Sequence, residues 1–181
     1  NLPRQEIGKE KTVILEEIKM YKDLPQSFVY ELLDELLWPG QPLGAPIIGT
    51  VDSVGKISRE ELLSFKQKFY LPSNIVISAA GNLDNKKLTN GIMKIFAGQE
   101  GRSADTFLGA TETQGRSQLK LLYKDTEQTH MALGFHSFKR EHSLKYALAM
   151  LHIILGANMS SRLFNELREK RGLTYEIGTL V

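Results

Sequence analysis

The chain has 181 residues, 41% of them apolar and 24% charged, which is the make-up of a soluble globular protein with one ordinary domain or two small ones. A net charge of +2, with basic residues scattered among acidic ones, gives no basis for binding nucleic acid or an acidic membrane. The absence of cysteine excludes disulfides and thiolate metal sites, and the longest apolar stretch, residues 147 to 157, is too short to span a bilayer.

No secretory leader is visible, and the chain opens on Asn-Leu-Pro-Arg without Met. It reads as an excised or processed piece of a longer protein, soluble, and cytoplasmic if that protein is bacterial.

Apolar periodicity predicts a first helix over 6–23, ending before Leu24-Pro25. Val13, Ile14, Ile18, Met20, Tyr21 and Leu24 share its apolar face. Glu16 projects away from that face and is expected at the surface. Glu17, and Glu10 two turns earlier, project into it. Such a carboxylate must be paired, protonated or metal-bound. Spacing alone favours a partly buried Glu that meets a cation or a backbone N–H, and leaves a metal ligand open.

A second helix is predicted over 27–37, then an irregular loop over 38–50 with three prolines and three glycines. Ser58 and Glu61 form a capping box for a helix that runs to about Tyr70. Residues 74–82 read as a buried strand, and Asp84 caps the next helix. The polar, glycine-rich stretch 98–117 reads as an interdomain linker. Two strands follow in 117–138, then an apolar helix over 142–156, a short helix closed by Gly172, and a strand over 173–181. The expected class is α+β, with antiparallel sheets covered by helices on one face. The expected domains are 1–97, the linker 98–117, and 118–181.

The residues alone carry little chemistry. His130 and His136 share one side of an extended segment, but six residues apart, roughly 20 Å. His142 is expected to help start a helix, and His152 to be a satisfied core histidine. Ser160 and Ser161 read as a helix cap. There is no G-x-S-x-G elbow and no phosphate loop. In LREKRGLTY, residues 167 to 175, Arg168 and Tyr175 flank the turn at Gly172. They are able to converge as donors to a carbonyl or oxyanion. Spacing alone favours a basic helix end beside an ordinary aromatic.

Four blocks considered together are more specific: EKTVILEEIKMYKDLP (10–25), LGAPIIGTVDSVGKIS (43–58), FYLPSNIVISAAGN (69–82) and LREKRGLTYEIG (167–178). In order and spacing they resemble the insulinase/pitrilysin family of zinc peptidases, nearest the branch of mitochondrial processing peptidase and its bacterial relatives. The resemblance implies a zinc metalloendopeptidase with Glu17 as a metal ligand and Glu10 supporting it. It implies that Arg168 and Tyr175 bind substrate and steady the tetrahedral intermediate from the second domain, so that domain closure is part of catalysis. The family's His-x-x-Glu-His motif, which supplies two ligands and the general base, does not occur here. The isolated chain is therefore expected to be inactive and to bind no zinc tightly.

The implied partners are a peptide substrate and the remainder of the parent chain, and exposed apolar faces would favour self-association into a homo-oligomer. The alternative is a non-catalytic partner or scaffold subunit of the same fold. A weaker alternative is an unrelated α+β binding module.

Overall fold

A computed structural model of the chain describes residues 2–98 and 108–181. Of the expected linker, residues 99–107 lie outside the described residues. By their contacts the residues divide into two units, Asn1–Gly134 and Phe135–Val181.

The first unit opens with α1 (Arg4–Asp23) and α2 (Pro25–Leu37). Leu24, between them, is extended at φ −103° and ψ 91°, because the ring of Pro25 excludes the helical conformation from the residue before it. Pro25 itself then opens α2, where a missing N–H costs nothing, so α2 begins earlier than Ser27.

α1 packs against α2 and against α3 (Val51–Lys56). Its buried line centres on Ile18, 2% exposed, with Ile7, Lys11, Ile14 and Leu15 half-buried around it. α3 contributes Val54, 4% exposed. The Lys11 ammonium donates to the Gly55 carbonyl at 2.9 Å, so its stem covers apolar surface while its charge meets the C-terminal end of α3.

The sequence reading assigned no element to the stretch between the loop 38–50 and Ser58, where α3 lies. It forms through a capping box in which the Ser53 N–H donates to Thr50 Oγ1 at 3.0 Å and the Thr50 N–H to Ser53 Oγ at 2.8 Å. The signal is weak in sequence because Ser replaces the usual Glu or Gln and the helix is short.

α4 (Arg59–Phe69) starts where the sequence predicts. The Glu61 N–H donates to Ser58 Oγ at 3.1 Å, and the Ser58 N–H to the Glu61 carboxylate at 2.6 Å. These bonds from the backbone and hydroxyl of Ser58, with Lys11 nearby, hold the Glu61 carboxyl below its usual pKa. α5 (Asn85–Phe96) is capped as predicted by Asp84, which accepts from the Lys87 N–H at 3.0 Å.

The second unit holds α6 (Lys145–Leu155) and a π-helical turn, Phe164–Glu169. α6 starts later than residue 142 because a turn precedes it, with the His142 N–H bonded to the Lys139 carbonyl at 2.9 Å.

The expected α+β class with antiparallel sheets is overturned: among the described residues every regular element is helical and no strand forms. The stretches expected as strands are extended but close no ladder. Residues 130–136 even keep a period of two, the odd-numbered side chains exposed and the even-numbered ones half-buried. Alternation orients side chains, but a strand exists only when a neighbour takes its N–H and C=O groups.

Side-chain hydrogen bonds instead tie the extended segments to residues in or near the helices. The Gln41 amide brackets Thr111, donating to its carbonyl at 2.9 Å and accepting its N–H at 2.7 Å. Lys124 donates to the Lys22 carbonyl at 3.0 Å and to Asp23 at 2.9 Å. A side chain at Gly134 would lie 2.9 Å from Leu37 and 3.0 Å from Leu33, so the extended segment rests directly on α2.

The Ser58→Ala chain should lose about 1 kcal/mol in urea denaturation followed by helical circular dichroism. Because the folded pKa of Glu61 is depressed, its stabilisation is complete above the ordinary Glu value of about 4.3 and disappears as pH falls through the lower folded value. A Glu61→Gln chain should show a correspondingly shallower loss of stability between neutral and strongly acid pH.

Candidate functional site

The second unit brings Arg168 and Tyr175 together. The π-helical turn ends with the Lys170 N–H bonded to the Asn165 carbonyl at 3.0 Å. The chain then reverses at Gly172, whose φ of +60° lies in the left-handed region that glycine enters without a Cβ clash. The Gly172 N–H bonds to the Arg168 carbonyl at 3.0 Å and the Leu173 N–H to the Leu167 carbonyl at 2.9 Å. These bonds close the helix end as predicted. The returning chain puts the Tyr175 ring 5.5 Å from the Arg168 guanidinium carbon.

A residue that the sequence reading did not select joins them. The Phe164 ring lies 4.7 Å from the same guanidinium carbon. The available signal was its position one helical turn before Arg168. Arg168 is half-buried and Tyr175 is 84% exposed. The neighbouring acid is engaged elsewhere: Lys170 donates to Glu166 at 2.5 Å. That bond and the Lys170 charge hold the Glu166 carboxyl below its usual pKa. The arrangement is a cation flanked by aromatic rings, able to present N–H donors to an acyl oxygen or carboxylate.

Around this site the predicted cap at Ser160 and Ser161 forms differently. Asn158 Oδ1 accepts from the Ser160 N–H at 2.9 Å, while Ser161 is buried and its hydroxyl bonds to nothing among the described residues. The His142 ring accepts from the Leu144 N–H at 3.1 Å, and His152, half-buried rather than in a core, pairs through Nδ1 with the Thr179 hydroxyl at 2.7 Å. Gly156 packs against the same Thr179, where a Cβ would come within 2.7 Å of its methyl.

Glu16, in the first unit, is at the surface as expected and pairs with Lys19 at 2.7 Å. Glu17 and Glu10 depart from expectation, because both are exposed. The apolar face of α1 was read too wide. Burial follows Ile7, Lys11, Ile14 and Ile18, whereas Val13 and Met20, which flank Glu17, stay 50% and 53% exposed. Thr12, Val13, Glu16, Glu17 and Met20 line a shallow hollow there. Glu17 offers one carboxylate to a metal. Among the described residues no group of three His, Asp or Glu side chains comes together to hold one. The described residues therefore do not make a zinc centre by themselves.

Residues 56–180 match the family described as Peptidase M16 inactive domain. The chain belongs to the M16 peptidase family. This is the insulinase family that the four sequence blocks resemble. An uncharacterized zinc protease of Bacillus subtilis, YmxG, is 36% identical over 172 residues, 95% of this chain and 41% of that protein. An uncharacterized zinc protease of Rickettsia felis is 37% identical over 176 residues, 97% of this chain and 42% of that protein. The chain thus spans about two-fifths of the length of the curated relatives it matches.

Among solved structures, the peptidase M16 inactive domain from Pseudomonas fluorescens matches this M16 chain at a TM-score of 0.72 and 22% identity, over 96% of this chain and 42% of that one, a likeness of fold alone. A putative M16-like peptidase from Alicyclobacillus acidocaldarius matches at 0.51 and 33% identity, over 56% of this chain and 24% of that one. No described helix is long and apolar enough to cross a membrane.

Gly172→Ala forces a Cβ into the left-handed region and should cost about 1–2 kcal/mol. Gly172→Asn should cost less. Chemical denaturation of the two variants beside the wild type checks the order.

Proposed function

We propose that the chain serves in a zinc-dependent metalloendopeptidase that hydrolyses peptide bonds. Glu17 is one oxygen ligand of the metal and Glu10 supports it. Arg168 and Tyr175 donate hydrogen bonds to the carbonyl under attack. With this reading go the divisions 1–97, the end of a metal-ligating domain; 98–117, a linker; and 118–181, the start of a substrate-binding domain.

The observation that carries the reading is the approach of Tyr175 to Arg168 across the Gly172 turn. Identity of 36% and 37% to proteins named zinc proteases, over nearly the whole chain, supports it from the sequence side. Chemically, a guanidinium offers planar, paired N–H donors, and a phenol adds a single O–H. Such donors accelerate a reaction only if they bond more strongly as charge develops on the carbonyl oxygen. A half-buried Arg168 suits this, because the lowered local dielectric strengthens the interaction. The exposed carboxylate of Glu17 is a hard oxygen donor of the kind zinc accepts beside nitrogen ligands.

In the full-length protein, Glu17→Gln should lower bound zinc and peptidase activity together. Arg168→Ala should leave zinc content unchanged while lowering kcat/KM on a fluorogenic peptide by about 10²–10³. The chain of residues 1–181 titrated alone should bind no stoichiometric zinc at micromolar concentration. Full zinc and full activity in the Glu17→Gln protein would sink the assignment.

A further inference from the structure

We propose that Phe164 is a positioning residue for Arg168: its ring takes one face of the guanidinium and leaves the edge N–H groups directed at a ligand oxygen. The inference rests on the peptidase reading only for the identity of that ligand, an acyl oxygen of a peptide.

Three observations in the second unit carry it. First, the Phe164 ring is the nearer of the two aromatics, 4.7 Å against 5.5 Å for Tyr175. It is also half-buried, whereas Tyr175 is 84% exposed. The fixed surface against which Arg168 lies is therefore Phe164. Second, no carboxylate or carbonyl among the described residues accepts from the Arg168 side chain, although acids stand on both sides of it in sequence. Glu166 is bonded to Lys170 at 2.5 Å, and Glu169 is exposed. An aromatic face stabilises a cation without consuming any of its N–H groups, so the donor edge stays available.

Third, Phe164 and Arg168 share a π-helical turn, a rare geometry that recurs at functional sites. The turn is braced by Asn165, whose side-chain amide donates to the carbonyls of Ser160 and Ser161 at 3.1 Å each. The bracing fixes the backbone under both side chains, so the ring and the cation meet without a further loss of freedom on ligand binding.

Phe164→Leu keeps an apolar side chain and removes the π face, and Phe164→Trp restores a face. In the protein labelled with ¹⁵N-arginine, the Arg168 Nε–H resonance, identified by its loss in Arg168→Lys, should carry an upfield ring-current shift. That shift should collapse in Phe164→Leu and return in Phe164→Trp, with the helical circular dichroism unchanged. A resonance that stays put in a folded Phe164→Leu protein overturns the proposal.

In the full-length protein, Phe164→Leu should lower kcat/KM on a fluorogenic peptide about fivefold. It should add nothing in an Arg168→Ala background, because the ring acts through that cation. A fivefold loss that persists in the Arg168→Ala background also overturns it, since the ring would then act by another route. If Arg168→Ala itself leaves kcat/KM unchanged while the resonance behaves as described, the positioning stands and the peptidase role of Arg168 falls.

Discussion

A backbone amide or carbonyl taken out of water must find a partner, and a helix finds it inside its own segment. The structure depends on that locality. Four of the described helices start on groups close in sequence: Pro25 at the first position of α2, Thr50 with Ser53 on α3, Ser58 with Glu61 on α4, and Asp84 on α5. Extended segments need a neighbour at a distance along the chain, and among the described residues none is aligned to serve.

The same constraint explains where long-range contacts concentrate. Polar side chains act as substitutes for missing ladder partners. The Gln41 amide presents to Thr111 the same donor and acceptor pair that a neighbouring strand would. The Thr179 hydroxyl and N–H serve the end of α6, bonding to the carbonyls of His152 and Gly156 at 3.2 and 3.3 Å. Apolar burial adds little beyond the contact of α1 with its neighbours, centred on Ile18 and Val54. At roughly 25 cal/mol per Å², so thin a core leaves capping and side-chain bridging with an unusually large share of the specificity.

The Arg168 site is built by the same local means. One left-handed glycine reverses the chain, two backbone bonds close the helix, and the returning strand of sequence lays a phenol beside a guanidinium. Nothing remote is required. That economy gives the second unit a preformed polar feature with no ladder beneath it. The charge pattern complements the geometry: Lys170 takes up Glu166, and Arg168 lies against the rings of Phe164 and Tyr175.

The sequence by itself determined whatever is decided within a few residues. It set the end of α1 before Leu24-Pro25, the Ser58–Glu61 box, the Asp84 cap, the Gly172 reversal, the surface position of Glu16 and, through four motif blocks, the family. The short helix α3 was also local, but its Thr50–Ser53 box is too common a pattern to stand out. Only the tertiary structure decided which side of α1 is buried, because an amphipathic wheel cannot tell Val13 and Met20 from Ile7 and Ile18 until α2 and α3 are in place. That choice left Glu10 and Glu17 in the open. The tertiary structure also decided that alternating stretches such as 130–136 remain unpaired, since alternation states how a strand would face but not whether another lies beside it. The ring of Phe164 under Arg168 belongs to the same class: spacing allows the contact, and only the folded turn makes it.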